Sequence, residues 1–165
     1  VDNNDTKESP MLPELVCLAL AVYYEARSEP FLGQVAVAEV VLNRAESSRY
    51  PDDVCAVVTQ GGTARHRCQF SYYCDGKPES PQHRQAWRRA VAIAKLTRNG
   101  VISAEVDEAT HYHATYVEPY WSDHFDHIAT IGRHLFYTTA SGARKITTAA
   151  ADSSAAADSM VAANL

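Results

Sequence analysis

The chain has 165 residues, 46% of them hydrophobic and 21% charged, and a formal net charge of -5. This length and balance suit one globular domain with a real hydrophobic core. The negative charge, with no Lys/Arg cluster larger than Arg88-Arg89, argues against a nucleic-acid partner, which needs a basic stripe to offset phosphates. No apolar run approaches the roughly 20 residues that span a bilayer.

Residues 1–11 read as a polar lead-in, 12–145 as the working domain and 146–165 as an Ala/Ser-rich tail of low complexity. The tail suits a flexible segment or a helix from Asp152. Val1–Pro10 has no signal-peptide character, so a precursor segment is expected to have been removed or to lie upstream in a longer chain. The first element is a helix over Pro13–Ala26. Pro13 fits an early helical position, Glu14 faces the positive end of the dipole, and Leu15, Leu18 and Val22 form one apolar stripe. The stripe continues to Glu25.

Pro30 starts a second segment, FLGQVAVAEVVLNRAESS. Its length and leading Pro argue for a helix, although its β-branched alternation also permits a strand. A short helix is expected over Asp52–Thr59, then a Gly61-Gly62 turn, a strand over Cys68–Tyr73 and a turn at Asp75-Gly76. Ser80-Pro81 should cap a long helix that runs to about Asn99 and ends at Gly100. Beyond it come THYHATY, an aromatic segment around Trp121 and a hairpin over Ile128–Tyr137. Helices followed by short strands make an α+β domain.

Four cysteines (Cys17, Cys55, Cys68, Cys74) with no CxxC pair fit disulfides in an oxidising compartment. Three pairings are possible and the sequence does not choose among them. A short loop around QFSYY favours Cys68–Cys74 with Cys17–Cys55, and buried free thiols are the alternative.

A carboxylate on an apolar helix face is costly unless neutral or paired. Burial raises its pKa and makes it a proton donor near neutral pH, as cleavage of a glycosidic bond requires. Glu25 answers that description, and its bland alternative is an ion pair with Arg27 or Arg44. The rival chemistry is a zinc site built from His111, His113 and His134, with His124 and His127 as further candidates. His-x-His is a weak signal, and no metal or other cofactor is assigned. A serine or cysteine nucleophile lacks a GxSxG elbow, so Ser71 is of interest only as a substrate contact. Phe70, Tyr72, Tyr73, Tyr112, Tyr116, Tyr120 and Trp121 could supply rings for stacking on sugars, with Gln69, Ser71 and His113 as polar neighbours, or could be ordinary core residues.

Taken together, the stretches CLALAVYYEARSEPFLGQVAVAEVVLNRAES from Cys17, YPDDVCAVVTQ from Tyr50, CQFSYYCDG from Cys68, ATHYHATYVEPYW from Ala109 and IGRHLFY from Ile131 resemble the SleB-like cell wall hydrolases. Where that family usually reads EARGE, this chain has Glu25-Ala26-Arg27-Ser28-Glu29, with Ser28 the departure. The resemblance implies a lysozyme-like α+β domain, mainly helical with a small antiparallel sheet, of the kind shared with resuscitation-promoting factors. It implies Glu25 as the single essential carboxylate. It also implies cleavage of peptidoglycan between N-acetylmuramic acid and N-acetylglucosamine by lytic transglycosylation, in the periplasm or outside the cell. The substrate contacts expected with Glu25 are Tyr24, Gln69, Phe70, Ser71, Tyr73, Tyr112, His113 and Tyr116. A hydrolysing muramidase would need a second carboxylate, for which Asp75, Glu39 and Glu29 are the candidates. A non-catalytic wall-binding module is the alternative from another class.

Overall fold

The computed structural model describes residues 12–139. The lead-in before Leu12 and the tail, with the helix expected from Asp152, lie outside them.

Helix α1 spans Pro13–Ala26, with Pro13 in its first turn and Leu15, Leu18 and Val22 buried. Arg98 anchors its start through a 3.2 Å ion pair with Glu14. The second segment is a helix, α2, over Phe31–Glu46, and every residue from Gly33 to Val41 is buried. Its position explains the ambiguous sequence pattern. Val35, Ala38 and Val41 pack into a helical core with α1, whereas Ala36, Val37 and Val40 pack into a second core under the sheet. A helix buried on all sides loses the one-sided apolar stripe of a surface helix.

Helix α3 covers Val54–Val58, and the Asp53 side chain caps it by accepting the Ala56 N–H at 2.7 Å. The strand expected at Cys68–Tyr73 is not formed. A 3₁₀ turn occupies Ser71–Cys74 instead, because Cys68 and Cys74 are joined by a disulfide with their Cα atoms 5.9 Å apart. An extended chain would carry those six steps across roughly 20 Å. The second bridge, Cys17–Cys55, ties α1 to α3. Helix α4 runs Arg84–Arg98, three residues later than the Ser80-Pro81 signal suggests. The Tyr23 hydroxyl accepts the His83 N–H at 3.0 Å, and the chain stays extended at His83, the residue before the helix. Gly100, at a positive φ of 91°, ends that helix as expected.

Three strands complete the fold: β1 (His111–Ala114), β2 (Asp126–Ile131) and β3 (His134–Thr138). They form an antiparallel sheet in the order β1-β3-β2. The β2–β3 hairpin starts two residues earlier than the sequence suggests and has a register shift between His127 and Ala129. Its two-residue turn, Gly132-Arg133, has Gly132 at φ 59°, as a type II′ turn requires. No helix among the described residues is long and apolar enough to cross a membrane.

Three residues on two successive turns of α2 grip the loop that enters β1. Glu39 Oε2 accepts the Ser103 N–H at 3.0 Å, Asn43 donates to the Ala109 carbonyl at 2.9 Å, and Arg44 Nε donates to the Thr110 carbonyl at 2.7 Å. Glu39 is buried, and its pKa is pushed up to about 7, first by burial and then by the charge of Asp107, against the pull of the Ser103 N–H. A carboxyl with a folded pKa above its free value of 4.5 stabilises the fold below that value and loses the contribution as pH rises through about 7. Glu39→Gln keeps an acceptor for Ser103 and cannot ionise. The variant should gain on the parent by up to roughly 3 kcal/mol between pH 4.5 and pH 8. Denaturant titrations at both pH values check this, and a stability difference that does not change with pH would refute it.

Candidate active site

Glu25 is the penultimate residue of α1. Its neighbours on the helix, Tyr24 and Ala26, take different surroundings: Ala26 is sealed in the core beneath the sheet, and the Tyr24 ring lies stacked on Tyr72 with centroids 4.6 Å apart. Strand β1 brings Tyr112 to the acid from the other side, where its hydroxyl donates to Glu25 Oε2 at 3.3 Å. Burial raises the pKa of Glu25, opposed by the Tyr112 hydrogen bond and by the positive charge of Arg44. Tyr112 and Tyr72 are themselves held well above the ordinary phenol range, by burial first and then by the charge of Glu25. Tyr112 therefore stays a donor at any physiological pH.

The ion pair that would make Glu25 merely structural is not formed. The ion pairs Lys77–Asp75, Arg98–Glu14 and Arg133–Glu29 all leave Glu25 out. Arg27 is exposed and lies over the Tyr23 ring. Arg44 is buried against Tyr50 and Phe70 and is spent on the Thr110 carbonyl. Glu25 thus has a cation in its field without a cation in contact, and it keeps an elevated pKa.

The acid faces a cleft of about 230 Å³ lined by Tyr24, Glu25, Glu29, Tyr116, Arg133 and His134, among others. Glu29 is the other carboxylate there. Burial would raise its pKa, but the Arg133 N–H at 2.8 Å and the guanidinium Nε at 3.0 Å, with His134, outweigh burial and hold it below the usual carboxylate range. Arg133 also donates to the Ser28 hydroxyl at 2.6 Å, so the serine that departs from EARGE fastens the end of α1 to the β2–β3 turn. A Cβ on Gly132 would collide with the Glu29 carboxylate and the Pro30 ring.

The structure brings Tyr24, Tyr112 and Tyr116 to Glu25 and sends the other expected contacts elsewhere. Phe70 is buried in the helical core, Tyr73 packs against that core, and Gln69 and Ser71 are exposed beyond the cleft. His113 lies on the far side of the sheet. Pairing places Tyr112 opposite Phe136 and Ala114 opposite His134 on the inner face, with His111 opposite Tyr137 and His113 opposite Leu135 on the outer. There His113 lines a separate groove of about 520 Å³ with Phe125, His127 and Tyr137. Tyr116, 80% exposed beyond the end of β1, borders both spaces. The same alternation separates the zinc candidates, with His134 on the inner face and His111, His113 and His127 on the outer. His111 is pushed down to about 4, by burial and then by Arg44 and Arg49. Asp75 is exposed beside Lys77, and Glu39 lies against Ser103.

Sequence reasoning named Tyr72 only among the candidate rings and left it out of the expected contacts, and it missed Arg133 and the placement of His134 in the cleft. The one available signal was that His134 follows a Gly-x hairpin turn, which aims the first residue of the next strand back across its partner.

A family model described as Cell Wall Hydrolase matches residues 28–137. Among solved structures, the catalytic domain of the germination-specific lytic transglycosylase SleB from Bacillus anthracis is 29% identical. It covers 79% of this chain and 98% of its own, with a TM-score of 0.63. The catalytic domain of the Bacillus cereus SleB protein is also 29% identical over 76% of this chain and 89% of its own, with a TM-score of 0.57. The α+β arrangement is thus lysozyme-like, as expected from the sequence. The spore cortex-lytic enzyme of Halalkalibacterium halodurans is 53% identical over 45 residues, 27% of this chain, and that of Bacillus subtilis 56% over 41 residues, 25% of this chain. These matches span 14% and 13% of the two relatives' lengths.

The Tyr112 hydrogen bond favours the ionised form of Glu25, so removing the hydroxyl must raise the pKa further. Tyr112→Phe should move the Glu25 titration midpoint to higher pH. Carbon-13 NMR of labelled glutamate carboxyls would follow it, and an unmoved or lowered midpoint would show that the hydroxyl does not donate to the acid.

Proposed function

Because the chain belongs to the cell wall hydrolase family, we propose that it cuts peptidoglycan strands between N-acetylmuramic acid and N-acetylglucosamine as a lytic transglycosylase, with Glu25 as its only acid/base. One observation carries this reading: a desolvated, unpaired carboxyl opens on a cleft and keeps its proton above the ordinary carboxylate range.

In this mechanism Glu25 gives its proton to the glycosidic oxygen as the C1–O bond breaks, and the bonding pair leaves with the N-acetylglucosamine O4. The positive charge left at the muramoyl C1 is met by the substrate's own N-acetyl oxygen. Glu25 is then a carboxylate, eased by the Tyr112 hydroxyl and the field of Arg44. It takes the proton of the C6 hydroxyl, whose oxygen closes on C1. The product is a 1,6-anhydro ring, and Glu25 is again protonated. Tyr24 and Tyr116 lie where sugar faces would pass, as stacking surfaces.

A hydrolysing muramidase is the second reading, and it draws on the ionised Glu29 in the same cleft. Both Glu29 oxygens already accept from Arg133, which favours a structural role for that group. The two disulfides support action in an oxidising compartment, the periplasm or the cell exterior.

Mass analysis of digested sacculi separates the readings: anhydro ends, lighter by one water, are expected, and reducing ends would mean hydrolysis. Glu25→Gln should fold normally and lose turnover about a thousandfold or more. Near-parental turnover in the folded variant would remove Glu25 from the chemistry, and binding without any product would leave a wall-binding module. In the parent, turnover requires the protonated acid, so the rate should fall as pH rises through the elevated pKa of Glu25. A rate that instead climbs through neutral pH would contradict a protonated donor.

A further inference from the structure

His134 opens β3 opposite Ala114 and Ile131 and lines the Glu25 cleft. It is 8% exposed, with its ring edge-on to Tyr112 at 5.1 Å and to Phe136 at 6.2 Å. Its Nδ1 is buried with no hydrogen-bond partner. Burial, reinforced by Arg133 and His113 against the pull of Glu29, lowers its pKa. The ring is therefore neutral and carries one N–H and one acceptor nitrogen. An orphaned buried N–H is rarer than an orphaned acceptor, which puts the proton on Nε2, the nitrogen left to face the cleft. No hydrogen bond ties that donor to Glu29, whose two oxygens each accept from Arg133. A phenylalanine would fill the same space between Tyr112 and Phe136 without burying an unpartnered nitrogen. Exchanging a poorly satisfied polar group for an apolar one of the same shape is close to neutral or stabilising. Packing therefore gives no reason for histidine here, whereas an incoming oxygen atom does.

We propose that His134 is a specificity-determining residue whose Nε2–H receives the 2-acetamido carbonyl of the N-acetylglucosamine on the leaving side of the scissile bond. This rests on the glycan-cleavage reading above. An amide carbonyl is the strongest neutral acceptor on an N-acetylhexosamine. The muramoyl acetamide is engaged at its own C1 during the reaction, which leaves the neighbouring carbonyl as the free one. His134 thus reads whether that sugar is acetylated.

The experiment compares glycan strands bearing N-acetylglucosamine with the same strands de-N-acetylated at that sugar, for the parent, His134→Phe and His134→Gln, with thermal melting on each protein. The parent should favour the acetylated strand by about tenfold in kcat/KM, the worth of one donor left unpaired. His134→Phe should melt no lower than the parent, lose about tenfold on the acetylated strand and cease to discriminate. His134→Gln, which keeps an N–H of similar reach, should recover part of the preference; its discrimination decides the matter should the Phe variant not fold. A parent indifferent to acetylation, or a preference that survives intact in the folded variants, overturns the role of His134 while the cleavage reading stands. A parent that releases no glycan fragment from either strand overturns both.

Discussion

The carboxyl of Glu25 has lost most of its water without gaining a cation in contact, and the rest of the site is arranged around that condition. A carboxylate in such a place is ordinarily neutralised by a salt bridge, which would drop its pKa and end its use as a donor. Here the guanidinium whose charge acts on it, that of Arg44, is directed to a backbone carbonyl and two aromatic faces. Its charge reaches Glu25 only through space, and a single phenol touches the acid. Glu29, four residues on, shows the opposite outcome. It is buried too, yet the Arg133 N–H and guanidinium keep it ionised. Two carboxyls in one cleft are thereby driven in opposite directions by the presence or absence of contact with one arginine.

Holding the acid in this state depends on α2, which lies between the two cores. From its buried body Glu39, Asn43 and Arg44 fix the backbone ahead of β1, so Tyr112 reaches α1 from a loop that is pinned at three points. The hairpin closes the other side. Gly132 lets its turn approach Glu29 without a Cβ in the way, and Arg133 ties the turn to both Glu29 and Ser28. The end of α1 is therefore clamped by groups from both edges of the sheet turn, and the cleft lies between the clamps.

Much of this was legible in the chain, and the reasons for the failures are physical. Pro13, the Leu15–Leu18–Val22 stripe and its continuation to Glu25 located α1 and the acid, because helical spacing is a local property. The burial of α2 on all sides blurred its period and left helix and strand both open. The segment after Cys68 misled because its alternation suggested a strand, while the covalent bond to Cys74 forbids an extended path. His113 and His134 were grouped as ligands by residue type alone. Only the strand pairing, a long-range property, reveals that they stand on opposite faces.

That pairing has a consequence for how such a domain can change over time. In β1 the inner position belongs to Tyr112 and the outer ones to His111 and His113, so one inserted or deleted residue between Thr110 and Ala114 would rotate an imidazole onto the acid and turn the phenol outward. Two connections, 99–102 and 115–125, face neither this parity rule nor the hydrogen bonds from α2. Length variation should therefore gather in those two loops, while the four-residue strand between them is inherited as an indivisible unit.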